Sequence, residues 1–140
     1  MLQISAALLA QVHEHASQSY PHECCGIMIG RREGASKATL ELRRAGNLNV
    51  ERARDRYLMD PKDQLAAEKS ARARGLEVLG YYHSHPDHPA LPSATDNAQS
   101  WEGVSYLILS VQGGRPAQSA SFAREASQSE LQSEELVITP

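Results

Sequence analysis

At 140 residues, 41% hydrophobic and 22% charged, the chain is expected to form one domain, residues 1–140, around a single core. A net charge of −3 provides no basic footprint for nucleic acid, and no segment is long and apolar enough to span a bilayer. Aromatic residues make up 5%, so Leu, Ile, Val and Ala must build the core.

The first predicted element is an amphipathic helix from about Ser5 to Ser17, with His13 and His15 facing solvent or partly packed. Gln3, Gln11 and His13 interrupt the apolar stretch a secretory signal would need. Glu23 then precedes the apolar run Ile27-Met28-Ile29, at the rim of a strand predicted from Cys25 to Arg31. The cysteines, Cys24 and Cys25, are neighbours in an extended chain and point to opposite faces. They are read as small buried filler without a disulfide, which fits a reducing cytoplasm.

A turn at Gly34 leads to a second strand from Ala38 to Arg44, completing a hairpin. The stretch from Asn47 to Arg56 carries Arg52, Arg54 and Arg56. Such a run reads first as a solvated face; the functional alternative is a receiver for an acidic surface or a C-terminal carboxylate. A helix from Pro61 to Arg74 is marked by Asp60 as its cap, Pro61 at its first position and Gly75 after its end.

The apolar run Leu76-Glu77-Val78-Leu79-Gly80-Tyr81-Tyr82 leads directly into His83-Ser84-His85-Pro86. Residues two apart on a strand share a face, so His83 and His85 aim their nitrogens the same way, and Pro86 ends the ladder. After a loop from Asp87 to Pro92, Ser93 caps a short helix reaching about Trp101 and carrying Asp96 in its first turn. Strands follow near Val104–Val111 and Ala117–Arg124, around a Gly113-Gly114 turn, with a last one at Leu136–Thr139. The Ser/Gln/Glu-rich piece from Ser127 to Glu135 reads as a solvated linker. This order predicts an α/β fold, a mixed β-sheet flanked by helices.

The pattern H-x-H-P-x₆-S-x₂-D, spanning His83 to Asp96, carries the chemistry. Ser93 and Asp96 alone would be an ordinary helix cap, and a lone H-x-H is a weak signal. Jointly they offer two imidazoles and a carboxylate, the ligand set of a hydrolytic Zn²⁺ site whose fourth position is left to water. Fe²⁺ or Co²⁺ would suit the same donors. His88 competes as a ligand but ranks below Asp96, because the set is complete without it.

The pattern resembles the signature of the JAMM (MPN+) zinc metalloprotease family. The segments Pro21-His22-Glu23-Cys24-Cys25-Gly26-Ile27-Met28-Ile29-Gly30, Tyr57-Leu58-Met59-Asp60-Pro61 and Tyr106-Leu107-Ile108-Leu109-Ser110 also resemble its small bacterial members. The resemblance implies a cytidine-deaminase-like fold, zinc on His83, His85 and Asp96, Glu23 as general base and then acid, and Ser93 as hydrogen-bond donor to the oxyanion. It further implies a cytoplasmic peptidase or isopeptidase acting at the C-terminal tail of a ubiquitin-like or sulfur-carrier protein, releasing for instance a terminal cysteine. The oligomeric state is left open. The alternative is a zinc-bearing scaffold or binding module with little activity. A nucleobase deaminase would need H-x-E with P-C-x-x-C, and the chain has neither.

Overall fold

Alternating apolar and polar residues fold the chain into eight strands and three helices across residues 1–140 of the computed structural model. In order these are β1 (Leu2–Ser5), α1 (Ala6–Ser19), β2 (Cys25–Glu33), β3 (Ser36–Ala45), α2 (Pro61–Ala73), β4 (Glu77–Pro86), α3 (Ala94–Gln99), β5 (Ser105–Gln112), β6 (Arg115–Ala123), β7 (Gln132–Glu134) and β8 (Leu136–Thr139). The strands make one mixed sheet in the order β7-β6-β5-β4-β2-β3-β1-β8. β4 therefore lies inside the sheet, antiparallel to β2 and parallel to β5. No helix is long and apolar enough to cross a membrane.

The helix signals act as expected. The Ser5 hydroxyl accepts the Leu8 N–H at 3.1 Å to start α1. Asp60 accepts from Lys62 N–H at 2.9 Å at the head of α2, and Gly75, at φ 69°, takes the left-handed turn beyond its end. α1 and α2 cover opposite faces of the sheet. Leu9, Val12 and Ala16 of α1 pack with Met28, Tyr82, Leu107 and Leu109, while Ala67 and Ala71 of α2 pack with Ile27 and Ile29. Because strand residues alternate, Tyr82 faces α1 and sends His83 and His85 to the opposite face.

Two elements were not anticipated. β1 has four residues and pairs in parallel with both β3 and β8. The second corrects the solvated linker expected from Ser127 to Glu135. Leu131 is buried with Ala90, Tyr106, Ile108 and Phe122, and Gln132–Glu134 pair with β6 as β7. Glu134 accepts hydrogen bonds from Ser105 and Ser121, and Lys37 Nζ lies 3.4 Å from it. Polar composition masked a segment in which Leu131 is held by packing and Glu134 by charge and hydrogen bonds. Only Glu135 separates β7 on one edge of the sheet from β8 on the other, so the sheet curls until its edges meet.

His15 is buried rather than solvent-facing, and its Nδ1 lies 2.7 Å from the Tyr82 hydroxyl. The Tyr82 ring rests on Gly26, where a β-carbon would come within 2.1 Å of it. Burial, with Arg44 nearby, lowers the His15 pKa to about 4. The unfolded chain, with an ordinary value of about 6.5, then takes up a proton before the folded one does as pH falls. Stability from this group is complete above pH 6.5 and declines toward pH 4. Urea unfolding should show the wild-type advantage over His15→Gln shrinking by about 1–2 kcal/mol between pH 7 and pH 5; an unchanged gap would rule out a buried neutral imidazole.

Candidate active site

The sheet interior brings the expected ligands together. At the end of β4, His83 Nε2 and His85 Nε2 lie 3.1 Å apart. Asp96, in the first turn of α3, places Oδ1 3.3 Å from His83 Nε2 and Oδ2 3.1 Å from His85 Nε2. Ser84, between the two histidines, points to the opposite face, where its Oγ accepts the Cys24 N–H at 2.9 Å. That bond clamps β4 to the start of β2.

The loop between β4 and α3 is anchored so that the turn carrying Asp96 folds back over the histidines. Asp87, at φ 58°, accepts the Gly113 N–H at 2.8 Å and the Tyr20 hydroxyl at 2.7 Å. The Ser110 hydroxyl donates to His88 O at 2.7 Å. His85 Nδ1 lies 2.9 Å from Pro89 O; a carbonyl only accepts, so Nδ1 carries the proton and Nε2 keeps its lone pair for the site. Ser93 and Asp96 form a full capping box, with Ser93 N–H to Asp96 Oδ2 at 2.9 Å and Asp96 N–H to Ser93 Oγ at 3.0 Å. The cap engages Asp96 through its N–H and Oδ2 and leaves Oδ1 facing His83 Nε2, so capping does not withdraw the carboxylate from the histidines.

This donor set fits a tetrahedral cation. Donor atoms bound about 2.0–2.1 Å from one tetrahedral Zn²⁺ stand about 3.3 Å apart, close to the 3.1 Å between His83 Nε2 and His85 Nε2 and the 3.3 Å from His83 Nε2 to Asp96 Oδ1, while the other carboxylate oxygen, Oδ2, lies 3.1 Å from His85 Nε2. Without a cation, the ring nitrogens and carboxylate oxygens crowded together have few protons to share, and the buried His83 Nδ1 has no hydrogen-bond partner. Burial lowers the His83 pKa, against the pull of Asp96. Burial pushes the Asp96 carboxyl up, but the two imidazoles facing it and the Ser93 N–H outweigh that and hold the group ionised, far below the usual carboxylate range.

Glu23 is buried, 5% exposed, not a solvated turn residue. Its carboxylate lies within 4.8 Å of ligand nitrogens of His83 and His85. Burial, with Asp96 and Asp55 in support, raises its pKa to about 8 against the opposing pull of His85 and Arg56. A buried carboxyl beside the two imidazoles is placed to exchange a proton with a group held between them. His88 sits on the exposed rim, outside the cluster of ligand atoms. Cys24 and Cys25 are free and buried, and burial raises their pKa values to about 11 and about 12, so neither is a ready thiolate.

The loop from Asn47 to Met59 does more than present charge to solvent. Ala53 O accepts the Glu23 N–H at 2.6 Å, and Asn47 Nδ2 donates to Glu23 O at 3.2 Å and to Arg56 O at 3.1 Å. The Tyr57 ring stacks on His83, centroids 4.7 Å apart. Asn47, Pro89 and Tyr57 thus hold Glu23, His85 and His83 in place; spacing gave no signal for the first two. Arg52 is spent on Asp55, and Arg56 turns to the cleft and donates to Thr95. This cleft, ≈ 390 Å³, is lined by Glu23, His85, Arg56, Ser93 and Thr95 among others.

Comparison with known proteins places this geometry in context. Residues 5–126 match a family model described as prokaryotic homologs of the JAB domain. The chain is 32% identical over 108 residues to a desampylase of Haloferax volcanii, covering 76% of each chain. It is 34% identical over 115 residues to a probable TtuB-protein conjugate cleaving protease of Thermus thermophilus, covering 82% of this chain and 74% of that one. Among solved structures, protein DSY2949 from Desulfitobacterium hafniense aligns with a TM-score of 0.85 and 32% identity over 99% of this chain and 93% of that one. A JAB1/MPN domain protein of Archaeoglobus fulgidus shares the fold at a TM-score of 0.57 and 19% identity, over 98% of this chain and 97% of that one.

Proposed function

The chain belongs to the prokaryotic homologs of the JAB domain and is a JAMM-type hydrolase, and from that premise we propose that it uses zinc to cleave an amide bond at the C-terminal tail of a ubiquitin-like or sulfur-carrier protein. The observation that carries this reading is the convergence of His83, His85 and Asp96 at 3.1–3.3 Å, with the buried Glu23 beside them lining an open cleft.

Zinc held by His83, His85 and Asp96 would acidify a water to a pKa of about 7 and polarise the scissile carbonyl. Glu23 takes the proton of the attacking water and, once protonated, delivers it to the leaving amine. The Ser93 Oγ already accepts the Asp96 N–H, which leaves its own O–H free to donate to the developing oxyanion. Retaining a buried carboxyl at this point costs desolvation energy, which a purely structural scaffold has no reason to bear. Both edges of β4 are occupied by β2 and β5, so the tail cannot extend the sheet there. It lies instead across the cleft, between the Asn47–Met59 loop and α3.

The test is cleavage of a ubiquitin-like carrier fused through its C-terminal tail to a short peptide. Zinc-loaded protein should release the carrier, a chelator should stop the reaction, and added zinc should restore it. A zinc-loaded protein inert toward a panel of carriers would establish the scaffold alternative.

A further inference from the structure

Resting on the hydrolase reading above, we propose that Arg56 determines specificity by gripping a free carboxylate on the leaving group, so that the preferred bond releases a terminal amino acid rather than freeing a lysine side chain.

One partly buried charge in this structure is not balanced. Three of the arginines are partly buried: Arg43, Arg56 and Arg124. Arg43 pairs with Glu41 and Arg124 with Glu102, but Arg56 has no carboxylate within 4 Å. Its one side-chain hydrogen bond goes to Thr95, a neutral hydroxyl. A guanidinium has five N–H donors in a rigid fork, so four remain without a protein acceptor. The nearest candidate acid along the chain, Asp55, is already held by Arg52 through both Nε and Nη2. Partial burial makes an unpaired cation costly and a carboxylate partner correspondingly favourable.

Position supplies the second part. Arg56 shares the cleft with Glu23, His85 and Ser93 and draws the Glu23 pKa down against burial. Its backbone is held by Asn47, the same residue that binds Glu23 O. The cation is therefore held, with its guanidinium anchored on Thr95 of α3, in the same cleft as the group that would protonate the leaving amine. In a released amino acid the carboxylate is two bonds from that nitrogen. In a lysine isopeptide the nitrogen is followed by four methylenes, and no carboxylate stands within reach of the same fork. An arginine here distinguishes the two leaving groups by charge and by distance.

The test uses zinc-loaded protein and three substrates: a carrier whose tail ends in one added alanine with a free carboxylate, the same with an alaninamide end, and the same tail joined to a lysine side chain in a peptide. The kcat/KM for the free acid should exceed that for the amide and for the isopeptide by about 10- to 100-fold, the range expected for charge-assisted hydrogen bonds. Arg56→Gln should bring the acid-to-amide ratio toward one, and Arg56→Lys, which keeps the charge without the fork, should retain part of it. A purely structural role in holding α3 through Thr95 would lower all three rates together and leave the ratio intact. A wild-type ratio near one, or a ratio that Arg56→Gln does not change, overturns the proposal while the hydrolase reading stands. Failure to cleave any of the three overturns both.

Discussion

Glu23→Gln is expected to reduce turnover of a carrier fusion by about 10²–10⁴-fold, the range for loss of a positioned general acid–base, while leaving bound zinc at the wild-type stoichiometry. Gln matches Glu in size and keeps hydrogen-bonding atoms in a position only 5% exposed, so packing around Ala53 and Asn47 is undisturbed. The amide can neither take nor return a proton, and both halves of the reaction suffer. Elemental analysis beside kcat separates the roles open to this residue. Loss of metal together with activity would make Glu23 a ligand, which its approach to within 4.8 Å of both histidines would allow. Activity within tenfold of wild type would place the base elsewhere.

The second large effect is expected from the ligands. His83→Ala and Asp96→Asn should each lose both the metal and detectable turnover, in contrast to Glu23→Gln. Asn is chosen at position 96 because Asp96 also accepts the Ser93 N–H at 2.9 Å. Asn preserves an acceptor for the cap, whose loss in an alanine variant would by itself cost about 1 kcal/mol, and removes only the charge. His83→Ala also vacates a fully buried site beneath Tyr57, so its melting temperature should fall even without metal. A zinc-loaded, active Asp96→Asn protein would show that the carboxylate serves the helix and not the ion.

What the sequence revealed depended on whether one local rule governed the outcome. α2 was legible from Asp60, Pro61 and Gly75 because capping chemistry is local, and the observed helix differs from the expected one by a single residue at its end. The shared face of His83 and His85 followed from strand periodicity alone. The burial of Glu23 did not, since the Ala53 and Asn47 contacts that enclose it come from a loop some thirty residues away and leave no periodic trace. The same holds for Arg56, which looked like one charge among several until its neighbour Arg52 proved to be committed to Asp55. β7 was missed because one buried leucine in a Ser/Gln/Glu-rich stretch does not register as a strand. The burial of His15, expected to face solvent or pack in part, was not legible because its partner, Tyr82, belongs to a strand sixty-seven residues away.

The interior place of β4 separates what the molecule does from what it does it to. Two of the three proposed ligands ride on a strand locked on both sides, where any exchange of residues would disturb the whole sheet, whereas the walls that would meet an incoming tail come from the segments 47–59 and 87–95. Those walls can be rewritten by insertion or replacement with little consequence for the chemistry beneath them. New selectivities, whether reached by divergence or by engineering, should therefore accumulate in these two segments, with the reacting centre inherited unaltered.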